Sequence, residues 1–249
     1  MKENKYDDKE FFNEYKKMNR SVKGLEGAGE WESFRKMFPS LENKKVLDLG
    51  CGFGWHCKYC IDNKAKLVIG VDSSKRMLEK AKEINDDKNI EYIENGIEEI
   101  NLQKEYFDLV ISSLAFHYVE NFEEVCKKIY DSIVPNGDFV FSIEHPIFTA
   151  SGKQDWYYDE KGDKLHWPVD RYFSEGSRKA IFLGKEIVKY HKTLTTYINT
   201  LIKCGFEIKE IIEPIPSEKM LKECLDMKEE LRRPMMLLIS VRKVEKNYR

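Results

Sequence analysis

The sequence has no surplus of either charge: 42 Lys and Arg face 44 Asp and Glu, leaving a net charge near −2 over 249 residues. A general nucleic-acid binder needs a basic excess to neutralise phosphates, so a small or neutral substrate is expected and no nucleic-acid partner. Long apolar runs are missing too. The charged start Met1-Lys2-Glu3-Asn4-Lys5-Tyr6-Asp7-Asp8 stands where a signal peptide needs an apolar core, and no run reaches membrane-spanning length. A cytoplasmic protein without a membrane partner is therefore expected. The six cysteines, at 51, 57, 60, 126, 204 and 224, do not have the spacing of a secreted disulfide framework. Cys57-x-x-Cys60 has neither a second pair nor a histidine cluster to complete a zinc site, so it reads as two reduced thiols on a helix and no metal is expected. Internal repeats and low-complexity tracts are absent.

What is present begins at Val46-Leu47-Asp48-Leu49-Gly50-Cys51-Gly52-Phe53-Gly54-Trp55, an apolar strand running into a loop with glycine at every second position. Such a loop admits positive φ and lets a ligand approach the main chain where a Cβ would collide. A dinucleotide fingerprint, G-x-G-x-x-G, needs its last glycine where Trp55 stands. Asp48 ahead of the first glycine suits a ligand bearing a cationic amine and would repel a diphosphate. A second apolar run, Leu67-Val68-Ile69-Gly70-Val71-Asp72, ends on a carboxylate able to accept both hydroxyls of a ribose. A nucleoside without phosphates satisfies both acids.

With these motifs the chain resembles the class I S-adenosylmethionine-dependent methyltransferases, in particular the type 11, ubiquinone/menaquinone-biosynthesis-like, small-molecule group. Val46 to Gly54 matches the family's first motif and Val68 to Ser73 its second. Asn95-Gly96-Ile97 matches the adenine-contacting turn, Phe107 to Tyr118 the strand beneath the methyl donor, and Val134 to Glu144 the later proline-glycine turn with its strand. Asn95 stands where the family often has Asp, and the later turn, Val134-Pro135-Asn136-Gly137-Asp138, lacks the family's second glycine. The resemblance covers roughly residues 44 to 145 and implies S-adenosylmethionine as cofactor, S-adenosylhomocysteine as product, and in-line methyl transfer. It also implies a set of cofactor-binding residues: Asp48, Gly50, Cys51, Gly52, Asp72, Ser73, Met77, Asn95, Gly96, Ile97, Ser113 and Leu114. Asp72 could instead cap a helix, and Met77 could be core. A nicotinamide-dependent oxidoreductase and a non-catalytic sensor of the same cofactor are the competing readings.

Short apolar runs alternate with helical patterns, as in an α/β fold: a Rossmann-like, doubly wound, seven-stranded sheet ending in an antiparallel C-terminal hairpin. Helices are expected at 9 to 19, 29 to 38, 55 to 63, 74 to 85, 121 to 133, 191 to 204 and 217 to 229. Strands are expected at 45 to 49, 67 to 71, 90 to 93, 107 to 112, 138 to 143, 206 to 213 and 235 to 243. Residues 1–40 read as an N-terminal helical arm, and 41–249 as the main domain with an inserted lid at about 146–190.

The insertion is dense in aromatics, Trp156, Tyr157, Tyr158, Trp167, Tyr172 and Phe173, interleaved with polar residues. Trp156, Trp167, Tyr172 and Tyr190 are therefore candidate substrate contacts. Arg20, Arg171 and Arg178 are either surface charges or a clamp for a carboxylate, with Arg20 the chosen candidate. Three histidines, His117, His145 and His191, are candidates for a base that takes a proton from the methyl acceptor, or are packing groups. Positioning alone, with water excluded, could also supply much of the rate.

Overall fold

The computed structural model describes residues 4–223 and 225–244, so Cys224 lies outside the described residues. Its strands are β1 (Lys45–Leu49), β2 (Leu67–Asp72), β3 (Ile90–Glu94), β4 (Phe107–Ser113), β5 (Ile133–Glu144), β6 (Tyr157–Tyr158), β7 (Lys164–His166), β8 (Gly176–Phe182), β9 (Lys185–His191), β10 (Phe206–Ile212) and β11 (Met236–Lys243). Its helices are α1 (Lys9–Tyr15), α2 (Asn19–Val22), α3 (Trp31–Phe34), α4 (Trp55–Asp62), α5 (Lys75–Ile84), α6 (Phe122–Ser132), α7 (Pro146–Thr149), α8 (Leu194–Cys204) and α9 (Glu218–Glu223).

Seven strands form one sheet in the order β10-β11-β5-β4-β1-β2-β3. Six run in one direction, and β11 lies antiparallel to both its neighbours, β5 and β10. Alternation along β1 explains how the sheet is buried on both faces. Val46 packs in a cluster with Trp31, Phe34, Cys57 and Cys60, whereas Leu47 and Leu49 pack on the other side with Phe116, Phe122, Phe139 and Tyr197. The chain leaves β3 and returns to β4 beside β1, so the order reverses between β1 and β4. Ligand crevices of doubly wound sheets open there, at the carboxyl ends of the strands.

Several expected boundaries move for local reasons. The helix expected at 9 to 19 is two short helices, α1 and α2, because the chain turns extended at Met18 (ψ 147°). That expected at 217 to 229 is α9 followed by a 3-10 stretch, Leu225–Arg232. β5 begins at Ile133 rather than 138, carrying Asn136 at φ 64° inside a register shift against β4. His191 ends β9, and α8 begins three residues later, capped by the Thr193 hydroxyl accepting from the Thr196 N–H.

The insertion is two hairpins. β8 and β9 are joined by Leu183-Gly184, both at positive φ (50° and 76°), the backbone of a two-residue turn matched to strand twist. β6 and β7 form the other. The N-terminal segment lies across the crevice. At one end Asp7 accepts from the Ser74 hydroxyl (2.7 Å) and the Arg76 N–H (3.1 Å), at the start of α5. At the other, Phe11 is fully buried among Ala180, Ile187 and Phe182 of the second hairpin. Among the described residues no helix is long and apolar enough to cross a membrane.

Candidate functional site

The loop after β1 takes its shape from Gly50 and Gly52, at φ 77° and 53°. A Cβ at Gly50 would stand 2.5 Å from the Ala115 Cβ, so this glycine allows two chain segments to meet. A Cβ at Gly52 would meet nothing within 4 Å, because the residue faces open space. Asp72, ending β2, fixes the loop: its Oδ2 accepts from the Gly52 N–H (2.9 Å) and its Oδ1 from the Ser74 N–H (2.9 Å). Burial pushes the Asp72 carboxyl up to about 6, against the pull of these backbone N–H groups.

Above the loop lies a solvent-open cavity of about 1190 Å³, a volume that takes in the space at its mouth. Its floor carries Gly50, Gly52, Asp72, Ser73, Met77, Ile97, Ser113 and Leu114, eight of the twelve residues expected to hold the cofactor. Leu114 adopts φ 53°, a strained value for a branched side chain, held by its N–H donating to the Ser142 carbonyl (3.0 Å). The roof comes from the N-terminal segment, with Tyr6, Tyr15, Met18 and Arg20, and from Phe182 of the insertion. Glu98, Ala115, His117, Tyr118, Val119, Glu144, Met235 and Met236 complete the wall.

A smaller cavity, about 490 Å³, adjoins it beneath Tyr15 and Arg20 and reaches Gly50, Cys51 and Gly52. Three buried polar atoms on its wall have no hydrogen-bond partner among the described residues: Ser21 Oγ, Glu30 Oε2 and Trp55 Nε1. Buried polar atoms are normally paired, so this group marks a place for a polar ligand. Two of the atoms can donate and one accepts, which is the requirement of an amino acid's carboxylate and ammonium. Arg20 stands beside them, its Nη2 2.5 Å from Glu30 Oε1. Burial opposes the charge on Glu30, but the Arg20 guanidinium outweighs it and holds the carboxyl below its ordinary range.

Asp48 does not reach either cavity. It is 1% exposed beneath the loop, where its Oδ2 accepts from the Cys57 thiol (3.3 Å) and its Oδ1 is unpartnered. Burial pushes it up to about 7. Glu30, not Asp48, is thus the carboxylate at the loop's outer side. Cys51 lines the smaller cavity, with its thiol pushed up to about 11 by burial. Asn95 and Gly96 lie outside the cavity lining; the Asn95 N–H donates to the Asp72 carbonyl (3.0 Å), and their turn delivers Ile97 to the wall.

Of the three histidines only His117 lines the main cavity. Its Nδ1 accepts from the Glu144 N–H (3.4 Å), so in the neutral ring Nε2 carries the proton. Burial lowers its pKa to about 4. It is therefore a neutral hydrogen-bond donor rather than a base. His145 fails to reach the cavity because it follows Glu144 directly, and neighbouring residues at a strand's end point to opposite faces. It caps α7 through Nδ1, which accepts from the Ile147 N–H (3.0 Å), and its Nε2 lies 2.8 Å from Glu213 Oε1. His191 is fully buried between Thr149 Oγ1 and the Tyr172 carbonyl, each 2.8 Å away.

The aromatic candidates of the insertion also lie elsewhere. Trp156 and Trp167 stack around Arg233, whose guanidinium sits 5.5 and 4.3 Å from their ring centres, with Phe148 4.8 Å away on the same cation. Tyr172 holds α8 by accepting from the Leu194 N–H (3.1 Å), and Tyr190 donates to Glu120 (3.3 Å). Arg20 is the one arginine candidate in the cavity; Arg178 Nε donates to the Ala150 carbonyl (2.9 Å), and Arg171 is exposed. Glu144 is occupied, with Oε1 2.5 Å from Lys189 Nζ and Oε2 accepting from Gln154 (2.8 Å). Among the described residues no group of His, Cys, Asp and Glu side chains is arranged to hold a metal ion.

Comparison with known proteins adds a lineage. A family model described as a methyltransferase domain matches residues 47–141. The solved structure of a chain described as an S-adenosylmethionine-dependent methyltransferase from Listeria monocytogenes is 52% identical, with a TM-score of 0.85, and covers 89% of this chain and 100% of that one. A second, from Mesorhizobium loti, is 41% identical with a TM-score of 0.82 over 88% and 100%. A malonyl-[acyl-carrier protein] O-methyltransferase from Halalkalibacterium halodurans is 26% identical over 209 residues, 75% of this chain and 76% of that protein.

Proposed function

The chain belongs to the S-adenosylmethionine-dependent methyltransferases, and on that footing we propose that it methylates a small-molecule acceptor held in the main cavity. The observation that carries a small acceptor is the roof: residues of the N-terminal segment and Phe182 of the insertion lie over the glycine loop, leaving little room for a duplex or a folded protein. The two added segments act in this reading as lids. The near-neutral charge points the same way.

The residues present fit the cofactor. Asp72 would accept the ribose hydroxyls, Ile97 and Met77 would flank the adenine, and Ser113 and Leu114 would lie beside the sulfonium. The methionine carboxylate would take donors from Arg20, Ser21 and Trp55, and its ammonium would satisfy Glu30 Oε2. Bound there, S-adenosylmethionine supplies an electrophilic methyl group whose transfer leaves the electron pair of the broken C–S bond on sulfur. The protein's part is positioning, holding acceptor and methyl group in line beneath the two lid segments. His117 offers an N–H to hold an acceptor oxygen or carbonyl in line, and Asp72, the cavity carboxyl that titrates near 6, is committed to the Gly52 and Ser74 N–H groups.

Extracts incubated with protein and methyl-labelled S-adenosylmethionine test this: label should enter the small-molecule fraction. Label confined to RNA, to acyl carrier protein or to other protein would overturn the acceptor class. Tight S-adenosylhomocysteine binding without turnover on any fraction would instead favour a sensor. Thermal stabilisation by NAD in place of S-adenosylhomocysteine would favour an oxidoreductase.

A further inference from the structure

A third cavity, about 1070 Å³, lies between the N-terminal segment and the excursion that joins β10 to β11. Five of the chain's eight methionines line it: Met18, Met220, Met227, Met235 and Met236. Methionine is unbranched and polarisable, so a wall built of it adapts to flexible apolar guests. The backbone keeps the space open. Pro214 and Pro216 stiffen one side, and at Gly29 a Cβ would already stand 3.4 Å from the Met220 methyl carbon. Both carboxylates on the wall are neutralised, Glu30 by Arg20 and Glu230 by Arg233 (2.7 Å), so no unbalanced charge calls for a polar occupant. The cavity also continues into the main one, since Met18, Arg20, Met235 and Met236 line both.

We infer that this methionine-lined cavity holds a flexible hydrocarbon arm of the methyl acceptor, whose reacting end lies past Arg20 in the main cavity. The acceptor is then an elongated amphipathic molecule, polar at the group that is methylated. The inference rests on the reading of the main cavity as the site of methyl transfer.

The test is calorimetric titration of two probe series, n-alkanoates and n-alkylamines from four to twelve carbons, into protein saturated with S-adenosylhomocysteine. In the series whose head group is accepted, affinity should rise by up to about fourfold per methylene, the equivalent of burying roughly 0.8 kcal/mol of hydrocarbon, and then level off. Met220→Trp and Met227→Trp, made separately, should each shorten the chain length at which affinity levels off and leave S-adenosylhomocysteine affinity within about twofold. Affinity independent of chain length in both series, or a rise that neither substitution alters, overturns the inference and leaves the methyl-transfer reading intact. Failure of S-adenosylhomocysteine itself to bind would remove that reading instead, and the inference with it.

Discussion

Gly50→Ala and Gly52→Ala each add one methyl at a positive-φ position of the same loop, and the structure separates what the two methyls do. Both variants force alanine into the left-handed region, at about 1–2 kcal/mol. At Gly50 the new Cβ also stands 2.5 Å from the Ala115 Cβ, an atom fixed to the main chain that no rotamer change can move. Overpacking of that kind costs about a further 1–3 kcal/mol. For a chain of this size each kcal/mol lowers Tm by roughly 2–4 °C, so Gly50→Ala should melt roughly 5–15 °C below the parent. Gly52→Ala should lose only the smaller strain, since its methyl enters open space. That space is where the cofactor's tail would press on the loop, so the loss should appear in S-adenosylhomocysteine affinity, by about a hundredfold, or about 2.7 kcal/mol. Differential scanning fluorimetry and calorimetric titration read the two quantities apart. Equal melting of the two variants would refute the steric reasoning at Gly50, and parental affinity in Gly52→Ala would refute the placement of the cofactor.

Protonation of Asp72 removes the acceptor that a ribose needs, and this carboxyl titrates near 6; S-adenosylhomocysteine affinity should be flat above that pH and fall by up to about tenfold per unit below it. Asp72→Asn should bind weakly at pH 7.5 and show no such slope. Asp48 is raised from 3.8 to about 7 in the folded chain, so its protonated form favours folding below pH 4 and that stability is lost as pH rises through 7. Asp48→Asn should accordingly melt near the parent at pH 4 and above it at pH 8; an unchanged difference between the two pH values would count against a buried, strained acid. Arg20→Met leaves Glu30, whose side chain is 2% exposed, as an unpaired buried carboxylate and should destabilise by about 3 kcal/mol, with Glu30→Gln in the same chain restoring much of it in urea unfolding. Arg233→Ala removes the cation shared by Phe148, Trp156 and Trp167, and tryptophan emission should shift to the red while S-adenosylhomocysteine affinity stays unchanged.

The parts of the site that could be read in the chain are those written within a few residues. Gly50, Gly52 and Asp72 follow directly from two apolar strands and the turns that end them, and the parallel sheet follows from the alternation of strands with helices. Glu30, Ser21 and Trp55 escaped because what joins them is the packing of an irregular N-terminal segment on a loop thirty positions away, which no local period records. His145 misled for a simpler reason: it adjoins Glu144, and the pleat sends neighbours to opposite faces. The aromatic density of residues 156 to 173 suggested a substrate pocket, but the partners of Trp156 and Trp167 are Arg232 and Arg233, some seventy residues on. A sequence shows the aromatics and cannot show that their cation is internal.

The strap formed by residues 4 to 11 has a consequence for how the molecule assembles. Asp7 docks on Ser74 and Arg76, while Phe11 and Glu10 dock on Ala180, Ile187 and Lys185. The Glu10–Lys185 contact spans 175 positions. During synthesis the strap leaves the ribosome well before the second hairpin, so half of its seat does not exist until that hairpin has emerged. The cleft must therefore stand open until the sheet is nearly complete and close as one of the last events, since contacts of such long sequence separation form late.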